Sequence, residues 1–213
     1  MKIKRFECNP LQENCYVVSL DSGDCAIIDC GAYGEDECAA IDAYIAENSL
    51  KPVLALNTHL HFDHVLGLRH IYDRYGLKVR AHSADVDIYS NLGQQLDYFT
   101  GGAISVDNPA PLGDFLADGD VVDFSGSPVR VLHTPGHTPG GVCFYFEGEK
   151  ALFSGDSLFC SSIGRTDFPG GNYRQLIESL TDKVLSLPPD VAVYPGHGPS
   201  TTVLNEMTYN PYL

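Results

Sequence analysis

Three histidines and an aspartate fall within six consecutive positions of the stretch Thr58-His59-Leu60-His61-Phe62-Asp63-His64. The apolar run Val53 to Leu56 leads into this stretch. A segment from about Val65 to Tyr75 follows it, with Leu66, Leu68, Ile71 and Tyr72 apolar at helical spacing. Any fold for this chain must therefore set a buried strand, a donor-rich loop and a helix in that order. His59 and His61 lie two apart, so in extended backbone both rings project to one side, whereas Asp63 and His64 sit where the chain turns into the helix. One loop can thus address two metal positions. Imidazole and carboxylate suit zinc, iron and manganese alike, because the affinity order does not by itself select the metal.

The text on either side alternates strands and helices. KIKRF, NCYVVSL and CAIID, separated by polar turns such as Asp21-Ser22-Gly23-Asp24, read as an antiparallel meander. After Gly31, Cys38, Ile41, Tyr44 and Ile45 recur at helical spacing, and LKVRAH reads as a strand after the Gly76 stop. From Asn91 to Gly113 the amide- and glycine-rich text shows no clear period and predicts a long surface loop. Strand runs return at VVDF, VRVLH, GVCFYF and KALFS, then a helix near Tyr173 to Ser186 and the strand VAVYP. Two β-rich halves with helices emerge. No repeat or linker divides them, so a single domain over 1–213 is expected.

Composition narrows the function classes. With 13 Lys+Arg against 28 Asp+Glu the formal net charge is -15, and no basic stripe is available for a phosphate backbone. Nucleic acid is not an expected partner. No stretch approaches the roughly 18 apolar residues of a membrane span, and MKIKRFECNPLQENCYVV lacks a signal-peptide core, so a cytoplasmic location without membrane contact is expected. Seven cysteines without a CxxC pair indicate neither a disulfide framework nor a zinc knuckle.

Three more donors end apolar strands in Gly/Pro-rich turns: His137 in HTPGHTPGG, Asp156 in LFSGDSLF and His197 in VYPGHGP. Singly, each reads as a turn cap or a backbone ligand. As a set of seven with His59, His61, Asp63 and His64, they read as a shared metal centre. His70, His82 and His133 read as packing or surface residues and stay outside the set.

H-x-H-x-D-H followed by a separate His, Asp and His resembles the metallo-β-lactamase superfamily. PLQENCYVV, TPGHTPGG, SGDSLF, IGRTDFPGG, PGHGP and the closing Asn210-Pro211 resemble its short, glyoxalase II-like (hydroxyacylglutathione hydrolase-like) branch over nearly the whole chain. The resemblance implies an α/β fold, a four-layer αββα sandwich with two mixed β-sheets and metals at one edge of the sheets. It implies two divalent ions, zinc first with iron or manganese as alternatives. His59, His61 and His137 would hold one ion and Asp63, His64 and His197 the other, with Asp156 bridging. That carboxylate stands where many antibiotic-hydrolysing members carry cysteine, which points away from a true β-lactamase.

What the resemblance implies for activity is hydrolysis of a thioester or ester by a hydroxide held between the two cations, with Asp63 taking and returning the proton. The implied substrate would be a small thioester such as a glutathione conjugate. Arg165 would face its carboxylate and Phe168 would line the pocket. The chain ends without the C-terminal helical extension of full-length glyoxalase II, so a smaller thioester is also an expected substrate. The chief alternative is a persulfide dioxygenase with one iron at His59, His137 and Asp156. A lactonase and a non-catalytic metal-binding protein stand behind it.

Overall fold

Strands β1 (Lys2–Cys8), β2 (Glu13–Ser19) and β3 (Asp24–Ile28) pair antiparallel in chain order. This is the meander expected from the turn text, here in a computed structural model that describes residues 1–106 and 108–213. β2 is buried along its whole length, while the edge strand β1 exposes Lys2 and Lys4, which discourages further strand pairing. Parallel strands need a crossover. Helix α1 (Gly34–Glu47) provides it, burying Ile41 and Ile45 one turn apart and delivering the chain to β4 (Lys51–Leu56) parallel to β3. Glu35, Asp36 and Glu37 in its first turn complement the positive end of the helix dipole.

After β4 the donor loop closes in one 3₁₀ turn, Phe62–His64, and α2 (Leu68–Tyr75) follows, stopped by Gly76 at φ 70°. α2 starts three residues later than the spacing predicts, because the Gly67 N–H bonds to the Cys30 carbonyl at 2.9 Å and holds the chain in a turn. Two other expectations are corrected. LKVRAH is no strand: only the isolated bridges Leu56 to Arg80 and His82 to Leu116 form. The stretch 91–113 is not all loop, since α3 (Val86–Ser90) is followed directly by α4 (Leu92–Thr100). Leu92 and Leu96 bury one face of α4, and Gly101 at φ 61° ends it. Position 107 of that stretch lies outside the described residues.

These elements belong to the first of two compact units, Met1–Ala81 with Val86–Asp114. The second comprises His82–Asp85 and Phe115–Leu213. Its main sheet runs β12-β11-β8-β7-β6-β5. β5 (Val121–Phe124), β6 (Ser127–His133), β7 (Val142–Phe146) and β8 (Ala151–Gly155) are antiparallel neighbours, with β7 and β8 buried throughout. A small hairpin of β9 (Leu158–Phe159) and β10 (Ser162–Ile163) follows. α5 (Tyr173–Ser179) is capped by Asn172, whose side chain accepts from the Gln175 N–H. It loosens into a π turn at Leu180–Val184 instead of continuing regularly to 186. β11 (Ala192–Pro195) then lies parallel to β8, with β12 (Thr201–Thr202) at the edge and α6 (Val203–Tyr209) last.

Both sheets mix parallel and antiparallel pairs, as expected. All seven cysteines are free thiols, five of them buried. Among the described residues no helix is long and apolar enough to cross a membrane.

Candidate metal centre

In the first unit the donor loop is pinned by short polar side chains at the ends of apolar strands. Asp29, directly after β3, accepts from the Thr58 N–H at 2.7 Å and from the Thr58 hydroxyl at 2.6 Å. Asn57 donates to the carbonyls of His59 and His64 at 3.1 and 2.9 Å. Asn9 reaches from the β1–β2 turn to the carbonyls of Gly31 and Asp63 at 3.0 and 2.9 Å. So held, the rings of His59 and His61 meet edge to face at 4.9 Å, and those of His59 and His64 lie 4.1 Å apart. Ligand atoms of His59 fall within 4.8 Å of those of His61 and of His64, and Asp63 stands in the same relation to His64.

The second unit gathers the other three donors. The turn carrying His137 is tied down by buried Asp85, which accepts from the Thr138 hydroxyl at 2.9 Å and the Gly140 N–H at 2.6 Å. Gly136 at φ 139° lets this turn pass the backbone of Leu176, where a Cβ would sit 2.4 Å from the amide nitrogen. The Gly196 N–H bonds to the Gly155 carbonyl at 2.9 Å, which sets the PGHGP turn beside the end of β8. As a result Asp156 Oδ2 lies 3.6 Å from His137 Nε2 and 3.7 Å from His197 Nε2.

Neighbouring acceptor groups fix which ring nitrogen each imidazole can offer. His137 Nδ1 lies 2.7 Å from the Arg165 carbonyl, which only accepts, so Nδ1 carries the proton. His64 Nδ1 faces the Asp29 carboxylate at 3.2 Å, again an acceptor. The Thr58 hydroxyl spends its proton on Asp29, so at 3.2 Å it accepts from His59 Nδ1. In all three rings the lone pair is on Nε2, the arrangement that orients a histidine toward a metal. Buried and half-buried donors of only imidazole and carboxylate type, oriented in this way, fit divalent zinc, iron or manganese.

Behind His64 stands Glu13, fully buried, its carboxylate 3.8 Å from Nδ1. Burial pushes the Glu13 carboxyl well above the usual range, with His64 opposing that shift and Asp29 adding to it.

The two expected substrate contacts adjoin one another. The Arg165 guanidinium makes two bonds to Asp167, at 2.8 and 2.7 Å, and lies 3.6 Å over the Phe168 ring. The exposed Asp167 carboxyl is held down at about 2 by Arg165. The histidines left outside the ligand set pack elsewhere: His70 on Asp42 at 3.0 Å, and His82 stacked on His133 at 4.1 Å. The positioning residues Asp29, Asn57, Asn9, Asp85 and Glu13 escaped the sequence reading. A polar residue closing an apolar strand, as Asp29 and Asn57 do, was the signal available for two of them.

Residues 8–197 match the metallo-beta-lactamase superfamily. Hydroxyacylglutathione hydrolase GloC of Haemophilus influenzae is 34% identical over 214 residues, covering 100% of this chain and 98% of that protein. The crystal structure of BLEG-1 B3 metallo-beta-lactamase agrees at a TM-score of 0.90 and 34% identity, over 100% of this chain and 99% of that one. TTHA1623 in a di-iron-bound form agrees at 0.86 and 37% identity, over 99% of this chain and 100% of that one. With the expected fold and donor types in place, the chain belongs to the metallo-beta-lactamase superfamily.

Proposed function

We propose that this protein is a metal-dependent hydrolase of thioester or ester bonds, glyoxalase II-like, with two divalent ions at its centre. His59, His61 and His137 would hold one ion, Asp63, His64 and His197 the other, and Asp156 would be the ligand shared by both. The observation that carries the reading is the placement of one Asp156 oxygen 3.6 Å from His137 and 3.7 Å from His197, since a bridging carboxylate has to serve a ligand from each set. The 34% identity to a hydroxyacylglutathione hydrolase supports the thioester. Zinc and iron both suit the donors, and one relative is known in a di-iron-bound form.

Bound ions of this kind acidify water and polarise the attacked carbonyl. The chain's own residues do the rest. Water adds to the thioester carbon, the C–S bond breaks, and a carboxylic acid and a thiol leave. Asp63 accepts the proton of the attacking water at a carboxylate oxygen and returns it to the departing sulfur. Arg165 offers its guanidinium to a carboxylate on the thiol half, as in a glutathione conjugate, and Phe168 keeps that guanidinium in place from below.

The test is metal content per chain by mass spectrometry on anaerobically purified protein, paired with rates on S-acyl glutathiones, smaller thioesters and a β-lactam. Two metals per chain and thioester turnover abolished by a chelator are expected. One iron per chain with oxygen consumed on a persulfide would overturn the reading in favour of a dioxygenase. Preference for the β-lactam would overturn it in favour of the activity named for BLEG-1.

A further inference from the structure

Aromatic side chains outside the ligand set gather on α4. Tyr98 is 80% exposed and Phe99 39%. Their rings meet edge to face at 4.9 Å, and Phe99 stacks on Phe62 at 5.2 Å with the planes 18° apart. Phe62 is buried between His61 and Asp63, two of the candidate ligands. The Gln95 side chain sets the register of helix and loop: its Oε1 accepts from the Phe62 N–H at 3.2 Å and its Nε2 donates to the Ile88 carbonyl at 2.6 Å. Ring contacts therefore run without a break from solvent at Tyr98 to the backbone of the donor loop.

α4 carries a single charge, Asp97, and no cation. An anionic group finds no partner on this helix, whereas an uncharged apolar group removes exposed ring surface from water. From this juxtaposition we infer that Tyr98 and Phe99 form the acyl-recognition wall of the enzyme. The substrate class is a thioester with an apolar acyl group, aryl or a linear chain of about six carbons, laid against the two rings so that its methylenes or ring leave water. The inference rests on the hydrolase reading above and adds the side of the substrate that the resemblance does not address.

The wall is tested on the metal-loaded full chain and its Tyr98→Ala and Phe99→Ala variants, with thioesters of one thiol bearing acetyl, hexanoyl or benzoyl groups. The wild type is expected to favour hexanoyl and benzoyl over acetyl by about tenfold or more in kcat/KM, and each variant to reduce that ratio about fivefold with metal content unchanged. Equal ratios in wild type and both variants would overturn the wall. Tyr98 is so exposed that its truncation leaves packing intact, and a matching melting temperature checks this. If the wild type cleaves no thioester, the hydrolase reading fails, and the wall is judged by calorimetry with S-hexyl and S-methyl thioethers of the same thiol. Tighter binding of S-hexyl that depends on Tyr98 supports the wall, and indifference to chain length overturns it.

Discussion

The Nδ1–H of His137 donates to the carbonyl of Arg165 across 2.7 Å, joining a candidate metal ligand to the turn that carries the candidate substrate arginine. The bond is possible because Gly164, just before Arg165, passes the Asp156 carbonyl so closely that a Cβ there would sit 1.7 Å from its oxygen. One glycine thus brings together the backbone of the bridging candidate, the tautomer of His137 and the position of Arg165.

Gly164→Ala is expected to force these segments apart. The destabilisation should reach the upper end of the about 1–3 kcal/mol typical of overpacking, with at least one metal lost per chain. Chemical denaturation and metal analysis read both effects, and wild-type stability with full metal content would contradict the account.

Asp29→Asn removes the charge that receives two hydrogen bonds, from the Thr58 N–H and the Thr58 hydroxyl, and that faces His64 Nδ1 at 3.2 Å. Such outer partners typically govern metal affinity by about 10–100-fold. Titration of metal into apo-protein is expected to show a loss in that range, while Asp73→Asn, at an exposed helix pair with Arg69, leaves affinity at the wild-type value.

Arg165→Ala is expected to raise KM for carboxylate-bearing thioesters more than it lowers kcat, because it removes binding shared by ground state and transition state. The existing bidentate pair with Asp167 competes with substrate, so Asp167→Asn should lower that KM. Neutral thioesters serve as the comparison: the same KM change on them would refute a carboxylate contact.

Burial beside His133 keeps the His82 imidazole below its ordinary value. The unfolded chain then takes up the proton first as pH falls, so this group supports the fold at neutral pH and withdraws that support below about 6.5. Urea midpoints measured from pH 8 to 5 should fall less steeply for His82→Gln than for wild type. Parallel curves would show that the stacked pair has no part in acid sensitivity.

Much of the fold and of the candidate site was legible locally. Each strand run ended in turn residues, and each candidate ligand stood at such an end with glycine or a helix start beside it, so period and punctuation sufficed. α4 was missed although Leu92, Leu96 and Phe99 recur at i, i+4 and i+7, because the helix spans only nine residues and Gly93 and Gly101-Gly102 within and after it read as loop punctuation. LKVRAH has a strand's composition, but its neighbour pairs with it only at Leu56 and Arg80.

The sequence by itself determined the donor types, their order along the chain and the acidic charge that disfavours a phosphate backbone, because these depend on residue identity and short-range spacing. Tertiary structure alone decided which nitrogen of His59, His64 and His137 can ligate. It also decided that one oxygen of Asp156 lies near two imidazoles and that Arg165 is already paired. Such features depend on directional bonds between groups 28 or 29 residues apart, as for His137 with Arg165 and Thr58 with Asp29, and a hydrogen bond forms only where folding has brought donor and acceptor within about 3 Å.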